Sequence, residues 1–261
     1  MKSVQDAKNH KEIYEIQMCK LLFLAAAIAC SCVTHAKVTV EYTKSHKLLA
    51  IVKVKGEIKY DEEIEFKKAL ENVYQRGYKL KLNAVVLNTK GGNMYAAQAM
   101  GRIIRERKLN IYVPATATCA SACIYLLSGG LVRMAYGTVK VHRAIHPQDI
   151  PFDKLEKEYK TSEQRTKDYI SEMGLSFLLA EAINSTPYWA TRELENIDKM
   201  RWGVHGTERL YEETWFRKSA RERGISMQVV YDYFDKHFAE CSRRAKQFEI
   251  TVWDCVFSKL P

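Results

Sequence analysis

Apolar and polar positions alternate with two different periods along the first half of the chain. Short apolar or alternating segments predict strands at residues 38–42, 48–55, 84–87, 111–113 and 139–142. Segments with apolar residues three or four apart predict helices at residues 61–76, 94–107 and 119–127. Because strand and helix alternate from residue 48 to residue 142, we expect a parallel sheet with crossover helices and an α/β core.

Two of these helices predict which side chains face the core. In each, the apolar residues recur on one face at helical spacing. The expected inward residues are Ile64, Leu70, Val73 and Tyr74 in the first helix, and Ala97, Met100, Ile103 and Ile104 in the second. Residues 89–93, with two adjacent glycines, predict a loop between strand and helix.

The second half of the chain is predicted to be mainly helical. Residues 152–200 have a helical pattern, and residues 207–223 and 227–246 predict two amphipathic helices with aromatic faces. Residues 250–257 predict a final strand. We therefore divide the chain after the leader into an α/β domain, residues 37–205, and an α-helical C-terminal extension, residues 206–261.

The beginning of the chain is typical of a secretory signal peptide. Residues 21–30 are apolar all round, Lys20 precedes them, and small or polar residues follow up to Ala36. The apolar run is too short to span a bilayer. We expect residues 1–36 to be a signal peptide, with Met18 as the natural start, and the protein to be exported to the periplasm or secreted. A lipid anchor at Cys30 and a retained anchor are the less favoured alternatives.

The composition and the charge pattern indicate which kinds of binding partner to expect. A hydrophobic fraction of 47% in 261 residues is that of a globular protein. The net charge of +10 invites nucleic-acid binding, but the basic segments 102–108, 217–223 and 243–246 alternate with acids or follow helices, as solvated helix faces do. We expect no nucleic-acid partner; contact with the cell envelope or a membrane surface is the alternative.

Seven cysteines become four if residues 1–36 are removed. The four are Cys119, Cys123, Cys241 and Cys255. An even number in an oxidising compartment permits two disulfides, and three pairings are open. As neighbours on one predicted helix, Cys119 and Cys123 are expected to bridge poorly. Either they are packing residues, or one pairs with Cys241 or Cys255; either is also a weaker candidate nucleophile.

Three short segments carry residues suited to acyl-transfer chemistry. The first is the Gly91–Gly92 pair, where the backbone can turn sharply and direct N–H groups at an anionic oxygen. The second is Ser121 at the start of an apolar helix, followed by the N–H of Ala122; a serine there is also a common helix cap. The third is His142 at a strand end, a base that could activate a hydroxyl. His146 is a poorer candidate because it lies in a loop.

Residues 51–143 resemble the Clp-protease proteolytic subunit and its relatives in the ClpP/crotonase superfamily. The motifs that carry the resemblance are LNTKGG at 87–92, CASAC at 119–123 with LLSGG at 126–130, and the strand pair from 133 to 142. The CASAC form more closely resembles a group of secreted Clp-like proteins predicted to be periplasmic. The resemblance implies a ClpP/crotonase-like core.

The resemblance also implies roles for the site residues. Ser121 would be the nucleophile, His142 the general base, and the N–H groups of Gly92 and Ala122 the oxyanion hole. The family's acid precedes the segment that matches residues 188–194, and residues 184–187 (NSTP) hold no carboxylate there. Three alternatives remain: a hydroxyl or amide orients His142, Glu181 or Asp198 reaches it, or the site is a dyad.

The sequence thus favours an exported serine hydrolase, namely a peptidase. No phosphate-binding Gly-x-x-x-x-Gly-Lys motif is present, so we expect ATP-independent action on peptide or protein substrates. The histidines are scattered, and we expect neither a metal nor another cofactor. The resemblance implies a homo-oligomer. The main alternative is a catalytically inactive Clp-like scaffold that binds a partner through its C-terminal helices; an acyl-CoA enzyme of the crotonase branch is the weaker one.

Overall fold

In the computed structural model of the chain, the strand–helix alternation of the sequence forms a sheet with helices packed on it, and nine strands of this sheet lie in the described residues. The structure describes residues 37–43, 48–144 and 151–261. The predicted signal peptide at 1–36 and the candidate base His146 lie outside the described residues. The described residues from 37 onward belong to one compact unit.

The strands and helices follow one another with short connections. The strands are β1 Lys37–Tyr42, β2 Leu49–Ile58, β3 Lys79–Gly92, β4 Asn110–Val113, β5 Thr118–Ala120, β6 Val132–Ala135, β7 Thr138–Val141, β8 Arg192–Glu193 and β9 Gly206–Thr207. The helices are α1 Glu62–Gln75, α2 Met94–Glu106, α3 Cys123–Gly129, α4 Phe152–Glu172, α5 Phe177–Ser185, α6 Asn196–Arg201, α7 Arg209–Arg223, α8 Met227–Lys246 and α9 Val252–Phe257.

Strand β3 connects the two wings of the sheet. It pairs with β2 in parallel over most of its 14 residues. Its first half, at Ala84–Val86, pairs with β4, which continues to β6 and β9. Its end, at Thr89, pairs with β5, which continues to β7 and β8. The pairings among β2 to β7 are parallel, as the sequence pattern predicts, and β1, β8 and β9 are antiparallel edges.

The part of the sheet formed by β3, β4 and β6 is buried on both faces, which explains the continuous apolar run in β3. Val85 and Leu87 face the main core, formed with α1, α2, α3 and α5. Ala84 and Val86 point to the other face, because side chains alternate along a strand. There they pack against the C-terminal helices α7, α8 and α9 through residues such as Phe216 and Trp253. The α-helical C-terminal extension therefore lies directly on the sheet.

The structure corrects the predicted inward face of α1. Leu70 and Val73 are fully buried, but Ile64 is 48% exposed and Tyr74 40% exposed. Phe66, which the pattern did not select, is fully buried instead. The helix is rotated so that the Phe66 ring fills the core and the Tyr74 ring stays partly exposed, an orientation that the apolar spacing alone does not determine.

Two further predicted elements are wrong. Residues 89–92 are not a loop but the end of β3, since Gly56, Glu57 and Ile58 of β2 continue to pair with them. Residues 250–257 are not a strand: Thr251 caps the short helix α9 by accepting a hydrogen bond from the N–H of Asp254. The apolar residues of α9 fit the pattern of a strand and that of a helix face equally well. In the structure they are buried as a helix in the C-terminal layer.

Candidate active site

Ser121 lies in a sharp turn between β5 and α3. Its φ of 54° is in the left-handed region, which is uncommon for a residue with a side chain. Its N–H donates to the Lys140 carbonyl at 2.9 Å, and its carbonyl accepts from the N–H of Ile124 at 3.1 Å. The strand therefore stops at Ala120, and the chain turns into the helix within two residues.

The hydroxyl of Ser121 is not used as a helix cap. The N-cap position of α3 is Ala122, and no side chain caps this helix. Within the part of the chain that the structure describes, the Ser121 hydroxyl and the Ala122 N–H have no hydrogen-bond partner. Ser121 is half-buried, and its hydroxyl and the N–H of the adjacent residue are both left without a partner within the described residues.

The two glycines at the end of β3 lie against this turn. A Cβ on Gly91 would stand 2.6 Å from the Cβ of Ser121 and 2.7 Å from the nitrogen of Ala122, so only glycine fits. Gly91 has φ 93° and Gly92 φ 136°, both in the region that favours glycine. A Cβ on Gly92 would instead collide with the Ile58 carbonyl of β2. The sequence analysis gave the oxyanion role to Gly92, whereas Gly91 is the glycine of the pair that lies against Ser121 and Ala122.

The N–H of Gly91 is already used. It donates to the Thr89 hydroxyl at 3.1 Å, and that hydroxyl donates to the Gly56 carbonyl. Thr89 is almost fully buried, so this small network fixes the end of β3. Of the two glycine N–H groups, the one on Gly92 is the donor that remains for a ligand.

His142 follows β7 at the same edge of the sheet as Ser121. Strands β5 and β7 are parallel neighbours, with Ala120 opposite Lys140, so the residues after each strand emerge side by side. The imidazole Nδ1 of His142 is 2.8 Å from the Arg143 carbonyl oxygen. Since a carbonyl can only accept, Nδ1 carries the proton, and Nε2 of the neutral ring holds a free lone pair.

Residues 184–187 lie beside the residue after His142, and the hydrogen bonds of their side chains go to other groups. The Thr186 carbonyl accepts from the N–H of Arg143 at 2.9 Å. The hydroxyl of Thr186 donates to the Ala182 carbonyl at 2.7 Å, and the amide of Asn184 donates to the Glu163 carbonyl. The segment therefore supports the residue whose carbonyl orients His142, and its own hydroxyls and amide are engaged elsewhere.

The two candidate carboxylates are also engaged elsewhere. Glu181 pairs with Lys167 at 3.4 Å, and Asp198 pairs with Arg192 at 3.5 Å. Within residues 37–43, 48–144 and 151–261, no carboxylate forms an ion pair with His142. The alternative in which Glu181 or Asp198 reaches His142 is not what the structure has.

The side chain of Arg143 holds its own backbone in place. The guanidinium lies over the rings of Tyr159 at 5.0 Å and Trp189 at 5.7 Å. Cation–π contacts of this kind are favourable and directional. They connect the carbonyl that orients His142 to α4 on one side and to the 188–189 turn on the other.

Helix α3 is fixed from behind by two buried tyrosines. The hydroxyl of Tyr125 contacts the Thr166 hydroxyl at 3.0 Å, and the hydroxyl of Tyr169 donates to the Tyr125 carbonyl at 2.7 Å. Burial raises the pKa of Tyr125 to about 12, so its phenol stays neutral at ordinary pH. Burial raises the pKa of Tyr169 as well. These contacts hold the helix that begins beside Ser121 against α4.

The structure contradicts the expected behaviour of the cysteines. Cys119 bridges Cys123 across a Cα–Cα distance of 5.2 Å, and Cys241 bridges Cys255 across 5.5 Å. Cys119 lies on β5 and not on the helix, and the left-handed turn at Ser121 brings it close to Cys123. None of the four is a free thiol, so none is a nucleophile in this state.

The described part of the chain was also compared with two other classes of site. No helix in it is long and apolar enough to cross a membrane. No three histidine, cysteine or carboxylate side chains in it lie together as metal ligands do. The chemistry available at this edge of the sheet is that of a hydroxyl, an imidazole and backbone N–H groups.

The chain is similar to known proteins at the level of solved structures. No family model matches this sequence, and no curated protein sequence matches it. The chain is similar to a mutant of the membrane-bound stomatin-specific protease 1510-N, at 19% identity and a TM-score of 0.44, over 59% of this chain and 76% of that chain. It is also similar to a mutant of ClpP1 from Listeria monocytogenes, at 18% identity and a TM-score of 0.45, over 59% of this chain and 88% of that chain.

Proposed function

We propose that the protein is an exported serine hydrolase, a Clp-like peptidase that works without ATP. One observation carries the proposal: Ser121, Gly91–Gly92 and His142 meet at one edge of the sheet, with the imidazole Nδ1 paired to the Arg143 carbonyl. This edge of the sheet thus offers the groups that acyl transfer needs: a hydroxyl, an Nε2 lone pair, and backbone N–H groups on Ala122 and Gly92.

The reaction follows from these groups. Nε2 of His142 takes the proton of Ser121 as the Ser121 Oγ attacks the carbonyl carbon of a peptide bond. The carbonyl electrons move to the oxygen, which the N–H groups of Ala122 and Gly92 stabilise. His142 then gives the proton to the leaving amine nitrogen, the C–N bond breaks, and an acyl-serine remains. Water, activated by the same imidazole, hydrolyses that ester.

A backbone carbonyl replaces the usual carboxylate in this scheme. Like a carboxylate, it accepts from Nδ1–H and so selects the tautomer with a basic Nε2. It carries no full charge, so it stabilises the imidazolium of the transition state less. We therefore expect a slower enzyme than one with a buried aspartate at this place.

The export proposal rests on the predicted signal peptide and on the disulfides. Disulfides persist in oxidising compartments and are rare in the cytosol of most cells. Two bridges that use all four cysteines beyond residue 36 are typical of a periplasmic or secreted protein. Self-association and contact with the envelope surface remain proposals of the sequence.

A fluorophosphonate probe, which phosphonylates activated serines, tests the proposal. The wild type should be labelled in a time-dependent way, and Ser121→Ala should not be labelled. Ser171→Ala is the matched control, because Ser171 is an exposed serine on α4. Labelling that persists in Ser121→Ala would overturn the assignment of the nucleophile.

One observation favours a second candidate function, a catalytically inactive scaffold that binds a partner. His142 has no carboxylate partner in the described segments, and loss of that partner lowers the activity of serine hydrolases by orders of magnitude. A folded wild type that neither reacts with the probe nor hydrolyses any peptide of a diverse library would favour this candidate.

A further inference from the structure

The Cys119–Cys123 disulfide encloses the proposed nucleophile. It joins β5 to the first residue of α3, and only Ala120, Ser121 and Ala122 lie between the two cysteines. The five residues from 119 to 123 thus form a small covalent ring around Ser121. The second disulfide, Cys241–Cys255, joins α8 to α9 in the C-terminal layer and touches no residue of this ring.

The ring spans a backbone turn in a left-handed conformation and the start of a helix that has no side-chain cap. Helix α3 has seven residues, no side-chain cap and no acidic residue in its first turn. The first N–H groups of an uncapped helix have no side-chain acceptor, so the start of α3 depends on packing and on covalent restraint. In addition, Ser121 has a left-handed φ that an L-residue adopts only when its surroundings impose it. The start of α3 and the turn at Ser121 both need an external restraint.

The remaining restraints act on single atoms of the turn. The Lys140 carbonyl fixes the N–H of Ser121, and the N–H of Ile124 fixes its carbonyl. Gly91 limits the position of the Ser121 Cβ from one side. The disulfide adds a second covalent link, beside the peptide backbone, between β5 and the beginning of α3, and thereby limits where the Ala122 N–H can point.

The Cys119–Cys123 disulfide is buried and therefore shielded from reduction. Cys119 and Cys123 are both fully buried, with 0% of their surface exposed. Thiol–disulfide exchange needs access of a thiolate to a sulfur atom. In the folded protein the bridge is therefore protected from reductants, which favours a fixed positioning role over a redox switch.

We infer that the Cys119–Cys123 disulfide is a positioning element of the site, which holds the Ser121 hydroxyl and the Ala122 N–H in register for attack on a carbonyl. Cys119 and Cys123 touch no substrate; they act through Ser121 and Ala122. The inference rests on the proposed hydrolase function. Since a displacement of about 1 Å can lower a rate about 100-fold, loss of the bridge should lower kcat by about 10- to 100-fold and leave KM nearly unchanged.

The test compares two double variants that lose the same atoms in different regions. Cys119→Ala/Cys123→Ala removes the ring around Ser121, and Cys241→Ala/Cys255→Ala removes the bridge in the C-terminal layer. Each is measured, under conditions where it is folded, for its rate of fluorophosphonate labelling and for kcat and KM on a peptide that the wild type cleaves. The first variant should be slow with an ordinary KM; the second should match the wild type. Equal rates for the two variants would overturn the inference.

A second measurement decides the inference independently of activity. Hydrogen exchange of the Ile124 amide, which donates to the Ser121 carbonyl, reports whether the turn is held. Exchange at Ile124 should be faster in Cys119→Ala/Cys123→Ala, and the amides of α8 should be unchanged. If the wild type is never labelled, the proposed function fails, and unchanged exchange at Ile124 would separately contradict the positioning role. Should the alanine pair not fold, Cys119→Val/Cys123→Ala, which refills part of the volume, serves in its place.

Discussion

The two disulfides lie in regions that keep their shape by different means. At the turn around Ser121, a three-residue strand meets a seven-residue uncapped helix, and geometry depends on a few local restraints. In the C-terminal layer, Cys241–Cys255 lies beside a cluster of aromatic rings packed on β3, β4 and β6. In our proposal the first region holds atoms in place for catalysis, while the second covers an apolar face of the sheet. The same covalent bond therefore has a different consequence in each.

The two disulfides are expected to differ in opposite directions in their effect on stability and in their effect on the reaction rate. In the loop-entropy model, a disulfide stabilises the folded protein by lowering the entropy of the unfolded chain. The stabilisation is about 2 kcal/mol for a bridge that closes five residues and about 3 kcal/mol for one that closes 15 residues. By this measure the C-terminal bridge stabilises the protein more. By our account the bridge around Ser121 matters more for rate.

Removing the central ring of the C-terminal layer should have the largest effect on stability. Trp253 is nearly buried, stacks on Phe234 at 4.7 Å and donates its indole N–H to the Thr207 hydroxyl. Trp253→Ala should lower the free energy of unfolding in urea by about 3–5 kcal/mol. The labelling rate of the folded fraction should not change. A loss below about 1 kcal/mol would contradict the role of this layer as a core.

The disulfide variant that loses more stability should not be the one that loses more activity. Urea unfolding should show a loss of about 3 kcal/mol for Cys241→Ala/Cys255→Ala and about 2 kcal/mol for Cys119→Ala/Cys123→Ala. The labelling rate should fall only in the second variant. If the less stable variant were also the slower one, stability alone would account for both results.

Two glycines allow the same comparison without touching a disulfide. Gly91→Ala places a methyl group against Ser121 and Ala122 and should lower the labelling rate about 100-fold, equivalent to about 2.7 kcal/mol in the barrier. Gly224, between α7 and α8, also has a positive φ, but its Cβ would meet nothing within 4 Å. Gly224→Ala should lower stability by about 1 kcal/mol and leave the rate unchanged. Equal rates in the two variants would show that Gly91 does not lie at the reacting centre.

The smallest expected effect is a pH dependence of stability at His205. Its Nδ1 accepts from the N–H of Ala135 at 3.1 Å, and burial lowers its pKa below the ordinary 6.5. The unfolded state then binds more protons below pH 6.5, so the free energy of unfolding should decrease as pH falls from about 7 towards 5. His205→Gln should reduce this slope. An unchanged slope would assign the dependence to other groups.

Sequence patterns predicted the parts of this molecule that depend on local periodicity and chain order. The alternation of strand and helix predicted the parallel sheet, and the order of Gly91–Gly92, Ser121 and His142 predicted residues that the fold brings to one edge. Parallel strands place their ends together, so order along the chain suffices for that inference.

The rest depends on tertiary geometry that periodicity does not contain. The Cys119–Cys123 bridge follows from the left-handed turn at Ser121, which moves Cys119 off the helix. The group that orients His142 is a backbone carbonyl, and every residue has one, so no residue type marks it. Ile64 fits the apolar face of α1 by spacing, but Phe66 fills the core.

The position of the proton on the His142 ring decides whether the proposed Ser121–His142 pair can act, because that pair needs a basic Nε2. Nitrogen-15 NMR of the imidazole at neutral to mildly alkaline pH, with His142→Gln to assign the signals, distinguishes the two tautomers. Our account expects the proton on Nδ1, where the Arg143 carbonyl accepts it, and a bare Nε2. A ring that carries its proton on Nε2 would contradict the account, since Nε2 then has no lone pair to accept the proton of Ser121.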